Sequence, residues 1–514
     1  MKFKVKLLGL ESGGKPIIVL NVSDAGDLGV HSLDRVRIFH GKKAVTAIVN
    51  VAEKIVKKGW LGVYNEVKSV LSLKDNQLVE VEVAKFPESL YFIRNKLKGR
   101  KLNYKEMYQI VKDVVERNLS EVEIAAFVTT LHNNGLDLDE ATSLSLAMVE
   151  TGEKLNLNKR VICDKHSVGG VPGDKTTLLV VPIVASLGLT IPKTSSRAIT
   201  SPAGTADRAD CFMPVSLDTD EMKKVVEKVG GCIVWGGSLH LAPADDIFIQ
   251  VEYPVGIDPL LLPSIMAKKK AVGATHMVID IPTGRGTKVK TIGDADLLAK
   301  DFIEVGRRIG INTQCAVTYG EQPIGYSVGP ALEAREALEV LMRRIDVEDL
   351  VEKAVTLSGI LFDMAGKKGG SQLALATIKS GKAEKKLREI IKAQGGDSRI
   401  RPEDIPTGRY KFDVLSDKKG FTLWIDNNSI IEIAKAAGAP KDKGAGIVLH
   451  KKLGDPVKEK DAILTIYSEK QRKLERARSF LAEMSPIGIG DRREMLIHKV
   501  KEIPVTKKMF VLER

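Results

Sequence analysis

The sequence is poor in residues that mark several classes of protein. It holds four cysteines in 514 residues, Cys163, Cys211, Cys232 and Cys315, and none forms a CxxC pair. That spacing excludes a disulfide framework and the common zinc motifs. Each cysteine has apolar neighbours, so buried free thiols in a reducing cytoplasm are expected. There is no HExxH string and no clustered His/Cys ligand set, so no metal site is expected. No secretory signal is expected at Met1-Lys2-Phe3. The longest apolar run, residues 178–192, is too short for a membrane span and contains Pro182, Ser186 and Gly188. It reads as a buried helix leading into a strand, with no membrane partner. Glutamine is scarce while Lys and Glu are abundant, a balance that leans toward a thermophile.

What is present is charge and enough apolar material for several cores. The length allows two to four domains. Hydrophobic residues make up 43%, charged residues 28%, and the net charge is +13. The lysines are scattered among glutamates along helices, as on solvated faces, so nucleic acid is not an expected partner. The remaining excess suits a phosphorylated substrate and inorganic phosphate.

The chain is organised around residues 163–207. This stretch opens DKHSVGGVPGDKTT and closes KTSSRAITSPAGTAD. Val161, Ile162 and Cys163 read as the end of a buried strand. A loop then carries Lys165, His166, Ser167, Gly169, Gly170 and Gly173, and Thr176 or Thr177 starts a helix. A strand, a glycine-rich loop and a helix N-terminus can cradle a phosphate. The string is neither a Walker A loop nor a GxGxxG fingerprint. An ordinary tight turn is the competing reading. The second hydroxyl-rich loop, residues 194–205, shifts the balance toward an anion site.

Periodicity divides the chain into four units. Residues 1–86 alternate like strands and form a β-rich domain. Residues 87–155 have helical periodicity: Met107, Ile110, Val111 and Val114 share a face, Ser120 and Glu123 form a capping box, and Asp137 precedes a third helix. From residue 156 the rhythm is strand–helix–strand, with strands at 161–163, 189–191, 232–235, 277–281 and 315–318. Helices at 219–229 and 295–308 fall between them. This argues a mostly parallel sheet over 156–239 and 276–420, interrupted by a helical insertion at 240–275. Residues 421–514 form a C-terminal α+β domain. The fold class is thus multidomain α/β.

Several strings together resemble the thymidine/pyrimidine nucleoside phosphorylase family: the two quoted above, LAPADD, SIMAKKKAVGA, VIDIPTGRGTK and PALEAREALEVL. The resemblance runs in order over roughly residues 88–495 and is nearer to an archaeal branch that acts on nucleoside 5′-monophosphates. It implies phosphorolysis of AMP to adenine and ribose 1,5-bisphosphate, with no cofactor and with phosphate as co-substrate. It returns the 240–275 insertion to the helical domain, places the cleft between that domain and the α/β domain, and makes the helical domain a homodimer contact. The 1–86 module resembles small double-psi barrels and implies a larger assembly.

By the same resemblance Lys165, Ser167, Gly169, Gly170, Ser195 and Thr205 bind phosphate. Ser196, Arg197, Ala198, Ile199, Thr200 and Ser201 contact the nucleotide near its sugar and 5′-phosphate, with Gly170, Thr205, Ser264, Lys268 and Lys288. Lys165 and Asp258 are the catalytic residues, Asp258 as the acid that protonates the purine at N7. Read alone, Asp258 before Pro259 is a helix cap, and Lys288 is surface charge. Two departures are notable. The stretch between Asp258 and Ser264 is two residues shorter than in that branch, and the arginine that reads a pyrimidine has no match near Val251. Two other readings remain: a thymidine or uridine phosphorylase, and a non-catalytic nucleotide-binding assembly protein. An anthranilate phosphoribosyltransferase-like enzyme would share the fold type, but its metal-binding acidic pairs are not found.

Overall fold

The computed structural model describes residues 1–198 and 201–491. Its N-terminal unit is a closed six-stranded barrel. The strands are β1 (Lys2–Leu7), β2 (Ile17–Asn21), β3 (Arg35–His40), β4 (Lys43–Ala52), β5 (Trp60–Val63) and β6 (Leu78–Val83), in the order β1-β5-β2-β4-β3-β6. Alternation puts Phe3, Val5, Val36, Ile38, Val79 and Val81 inside. The pairs β1/β5 and β2/β4 are parallel. The four-residue strand β5 has too little sequence to show a period. The barrel is tied to the next unit by Arg35, whose Nη2 donates to both Glu123 oxygens at 2.6 Å.

The helical unit holds α1 (Ser89–Leu97), α2 (Tyr104–Val115), α3 (Glu121–Asn134) and α4 (Leu138–Glu150). Met107, Ile110, Val111 and Val114 are fully buried along one face. The capping box of Ser120 and Glu123 starts α3, and the Asp137 side chain accepts the Glu140 N–H at the start of α4. The inserted segment supplies two more helices further along the chain, Pro243–Val255 and Leu261–Ala271. The first packs Ile247 and Phe248 into the same core, with the Phe127 and Phe248 rings 6.0 Å apart.

The α/β unit contains β7 (Cys163–Ser167), β8 (Ile191–Ser195), β9 (Gly231–Trp235), β10 (His276–Thr283) and β11 (Asn312–Tyr319). All their pairings are parallel: β11-β10-β7 on one side and β8-β9 on the other, joined by a bridge between Ile162 and Thr190. Between β7 and β8 runs α5 (Thr176–Ser186), where every residue from Thr176 to Ala185 is buried. The helices Thr219–Val229, Ile292–Arg308 and Glu348–Met364 pack on the sheet. The C-terminal unit joins the strands Ser327–Val328, Gly446–Leu449, Ala462–Ser468 and Tyr410–Leu415 in one sheet. Its core includes Val328, Ile430, Ile447, Leu464 and Leu474.

The sequence reading placed Lys165, His166 and Ser167 in a loop after a strand ending at Cys163. The structure corrects this. Residues 163–167 form β7 itself, paired in register with His276–Asp280. Likewise the strand expected at 189–191 lies at Ile191–Ser195. Both strands run further toward their C-terminal ends because partners across the sheet satisfy polar side chains that single-sequence propensity assigns to loops. Ligands of open parallel sheets gather at those ends.

Candidate active site

The phosphate-binding candidates converge on a buried network of charge. Lys165 on β7 is 2% exposed and its Nζ lies 4.0 Å from Asp280 Oδ2. The same oxygen accepts the Ser167 hydroxyl at 2.7 Å and stands 2.8 Å from Lys353 Nζ. Oδ1 of Asp280 accepts the Thr318 hydroxyl at 2.6 Å. Asp280 is fully buried in the middle of the apolar strand β10. Lys353 also lies 3.5 Å from Asp174. Burial opposes the charge of Lys353, but Asp174 and Asp280 together hold its pKa above the ordinary lysine value. Asp174 Oδ1 in turn accepts the Thr176 N–H at 3.2 Å, at the start of α5.

A second carboxylate anchors the other side of β7. Asp164 lies 2.8 Å from Lys269 and 3.8 Å from Lys193. Counting both halves, the ammonium groups of Lys165, Lys193, Lys269 and Lys353 face the carboxylates of Asp164, Asp174 and Asp280. Four lysines face three carboxylates, so full ionisation would leave one positive charge uncompensated in a buried setting, where unpaired charge is costly. An inorganic anion would balance it. Ser195, at the end of β8, presents a buried hydroxyl oxygen with no hydrogen-bond partner among the described residues.

The loop after β7 does what its glycines permit. Gly169 and Gly170 have φ of +89° and +95°, a region that side chains disfavour. A Cβ on Gly170 would stand 2.6 Å from the Lys288 nitrogen. The loop is therefore pressed against the backbone that carries Lys288. Lys288 Nζ in turn pairs with Asp258 Oδ2 at 3.0 Å, and both side chains are 47% exposed. This chain of contacts links the phosphate loop to the candidate acid. Asp258 is not a helix cap: the helix Leu261–Ala271 has Leu260 at its N-cap and no side-chain cap bond.

The loop at 196–201 is held from below. Asp207 Oδ2 accepts the N–H groups of Ala198 at 2.7 Å and Gly204 at 2.9 Å. Arg197 pairs with Asp207 at 3.1 Å and Asp210 at 3.3 Å, and stacks 5.2 Å from the Trp235 ring centre. Its charge is already shared before any nucleotide arrives. Ser196 is exposed and Ser201 is half-buried, its hydroxyl donating to the Ala203 carbonyl at 3.1 Å. Thr205 begins a five-residue helix. Ile199 and Thr200 lie outside the described residues. Ser264 sits half-buried in the first turn of Leu261–Ala271. Lys268, one turn on, is committed to Asp245 at 2.5 Å. Among the described residues no group of three or more His, Cys, Asp or Glu side chains could hold a metal ion.

Sequence reasoning missed Asp164, Asp174, Lys193, Lys269, Asp280 and Lys353. The one available signal was Asp280 itself, a carboxylate inside the apolar run VIDIP, which needs buried partners. It also missed Glu252. This side chain is 6% exposed, lies two helical turns beyond Asp245, and accepts the Leu260 N–H at 3.3 Å. Burial first, then Asp258 and Asp245, push its pKa up to about 8.

Comparison with known proteins adds the family. Three family models match in order: the helical bundle domain of the glycosyl transferase family at residues 91–152, its a/b domain at 159–384, and the pyrimidine nucleoside phosphorylase C-terminal domain at 424–488. The solved anthranilate phosphoribosyltransferase (TrpD) of Thermus thermophilus shares the fold, with a TM-score of 0.51 and 19% identity over 59% of this chain and 98% of that one. The class is thus a phosphorylase-type glycosyl transferase built on a helical bundle and an α/β domain. An AMP phosphorylase of Thermofilum pendens is 50% identical over the whole of both chains. One of Thermococcus kodakarensis is 49% identical over 95% of this chain and 98% of its own. One of Methanococcoides burtonii is 47% identical over 98% and 100%. The chain belongs to the AMP phosphorylase family.

Two outcomes are expected from this geometry. Asp280→Ala removes the acceptor of two hydroxyls and strands the Lys353 ammonium. It should destabilise the protein by about 3–5 kcal/mol, read from urea unfolding, with loss of activity. Glu252 binds a proton in the folded state between pH 4.5 and about 8 that the unfolded chain has released. Its contribution to stability is therefore present below about pH 4.5 and is lost as pH rises through about 8. Glu252→Gln should flatten that decline: measured by thermal melts, the variant gains on the wild type between about pH 5 and pH 9. Parallel curves would exclude the shift.

Proposed function

We propose that this protein is a pentosyltransferase that cleaves AMP with inorganic phosphate, giving adenine and ribose 1,5-bisphosphate. The observation that carries the reading is the buried, net-cationic network around Lys165, connected through Gly170 and Lys288 to a carboxylate at the edge of the helical unit. Full-length similarity to AMP phosphorylases supports the same substrate.

The reaction asks two things of the protein. Phosphate must be held and aimed at C1′ of the ribosyl group, which gains rate through proximity. Lys165, Ser167, Ser195, Thr205 and the N–H groups near Gly169 and Gly170 take that role. The departing purine must receive a proton, which calls for a general acid. Asp258 takes it, delivering the proton to N7 as the glycosidic bond breaks. Lys288 stands 3.0 Å from Asp258, so the two nucleotide-side groups are in contact before substrate arrives. Nucleotide engaging Lys288 would compete with this half-exposed contact, which is weak. Arg197, the 196–201 loop, Ser264 and Lys268 form the nucleotide side. Neither step needs a cofactor or metal.

Two structural readings accompany this one. The N-terminal barrel is of the double-psi type, supported by its two parallel strand pairs. The helical unit joins two copies of the chain and the barrel extends the assembly, in the cytoplasm.

Phosphate-dependent adenine release from AMP, compared with adenosine and thymidine, tests the activity. AMP should be consumed and the two nucleosides poorly used. Asp258→Asn should lower kcat by about 10²- to 10⁴-fold with little change in melting temperature, because a half-exposed pair contributes at most about 1 kcal/mol. Lys165→Ala should remove turnover with the fold intact. Consumption of thymidine in place of AMP would refute the assignment.

A further inference from the structure

Lys193 has no role in the scheme above, yet it sits within its charge network. It is 4% exposed on β8, two residues before Ser195. The pleat of a strand puts residues two apart on one face. Ser195 is the residue whose buried hydroxyl oxygen lacks a partner among the described residues. The Nζ of Lys193 donates to the Thr194 carbonyl at 2.6 Å and lies 3.8 Å from Asp164. Asp164 is already held more closely by Lys269, at 2.8 Å. Of the buried lysines around β7, Lys193 shares a carboxylate that another lysine holds more tightly.

The groups around it come from every neighbouring element. Strand β7 contributes Asp164, Lys165 and His166; the helix Leu261–Ala271 contributes Lys269, and Lys268 bound to Asp245. Strand β9 contributes Cys232. The helix Thr219–Val229 buries Met222, Val225 and Val226, and α5 is buried throughout its apolar length. Asp164 is the carboxylate that faces Lys193 itself, with Lys269 and Lys165 as the opposing cations. Burial first, then Lys269 and Lys165, press the pKa of Lys193 far below that of a free lysine, with Asp164 pulling the other way.

We propose that Lys193 is a further ligand of the inorganic anion and that anion binding favours its protonated form. This rests on the reading that the network around Lys165 holds phosphate. With no anion bound, burial and the neighbouring lysines disfavour the charged amine, which limits the excess of buried positive charge. A dianion reverses the local balance, so the amine takes up a proton and becomes a charged donor. The sign follows from linkage. Between the lowered pKa and the ordinary lysine value, the bound state holds more protons than the free state. Anion affinity therefore rises as pH falls through that window.

Sulfate is the suitable probe, because it does not itself titrate near pH 8. Calorimetric titration of the full-length protein with sodium sulfate, in two buffers of different ionisation enthalpy, counts the protons exchanged. The wild type should take up protons as sulfate binds above pH 8, with affinity weakening as pH rises. Lys193→Met should bind sulfate about tenfold more weakly or worse and take up none. Lys193→Arg, which cannot shed its proton, should bind without uptake and decides the matter if the Met variant does not fold. His166, also pressed down by burial and by its lysine neighbours, is the rival proton acceptor. Undiminished uptake in Lys193→Met, or no uptake in the wild type, overturns the proposal. Sulfate binding that is unaffected by Lys165→Ala would instead overturn the phosphate site on which it rests.

Discussion

Asp280 gathers side chains from three elements around one carboxylate: Lys165 and Ser167 from β7, Thr318 from β11, and Lys353 from the helix Glu348–Met364. It lies in the middle of an otherwise apolar strand and is fully buried. A carboxylate there is tolerable only if each oxygen is paired, and that requirement fixes where the phosphate-binding side chains point. Lys165 stays at the long end of ion-pair distance, 4.0 Å, so its ammonium is oriented by Asp280 without being consumed by it. A tighter pair would compete with an incoming anion. Lys353 at 2.8 Å takes most of the compensation and leaves Lys165 available.

The same economy of pairing couples the units. Lys269 belongs to the inserted helix Leu261–Ala271, and its 2.8 Å pair with Asp164 draws that helix onto β7. Asp258 lies just before the same helix, so the acid's position is set partly by a salt bridge that reaches the sheet. Gly170 provides the second link. Its backbone touches that of Lys288 closely enough that no side chain fits between, and Lys288 reaches to Asp258. The glycine loop after β7, Lys288 and Asp258 thus form one connected set of contacts, although they lie far apart in sequence.

Local signals in the sequence were legible. The capping box at Ser120 and Glu123, the N-cap at Asp137 and the helix over 219–229 depend on neighbours within one or two turns. The strand–helix alternation that implied a parallel sheet was equally visible, because strands such as Gly231–Trp235 and His276–Thr283 carry apolar runs. Lys165 and Ser167 were identified as site residues but placed in a loop, since their polarity is explained only by Asp280, on a strand far along the chain. Lys193 and Lys269 were not singled out as site residues, because a lysine's burial depends on a distant carboxylate that no local pattern announces. The Asp258 cap reading shows the reverse case. A plausible local explanation for Asp–Pro gave way to a contact with Lys288 across the fold.

The two ends of the site differ physically in a way that suits their tasks. The phosphate end is buried, crowded with opposed charges and fixed by a sheet, so its donors are oriented before the anion arrives; such preorganisation acts strongly where water is excluded. The acid end is a single half-exposed pair between two units. In water-exposed surroundings a Lys–Asp pair is weak, so nucleotide can separate it at little cost. The candidate site thus joins a rigid, buried cluster of charge at one end to a weakly held pair at the other, so the two ends differ in how readily an incoming ligand can displace what is already there.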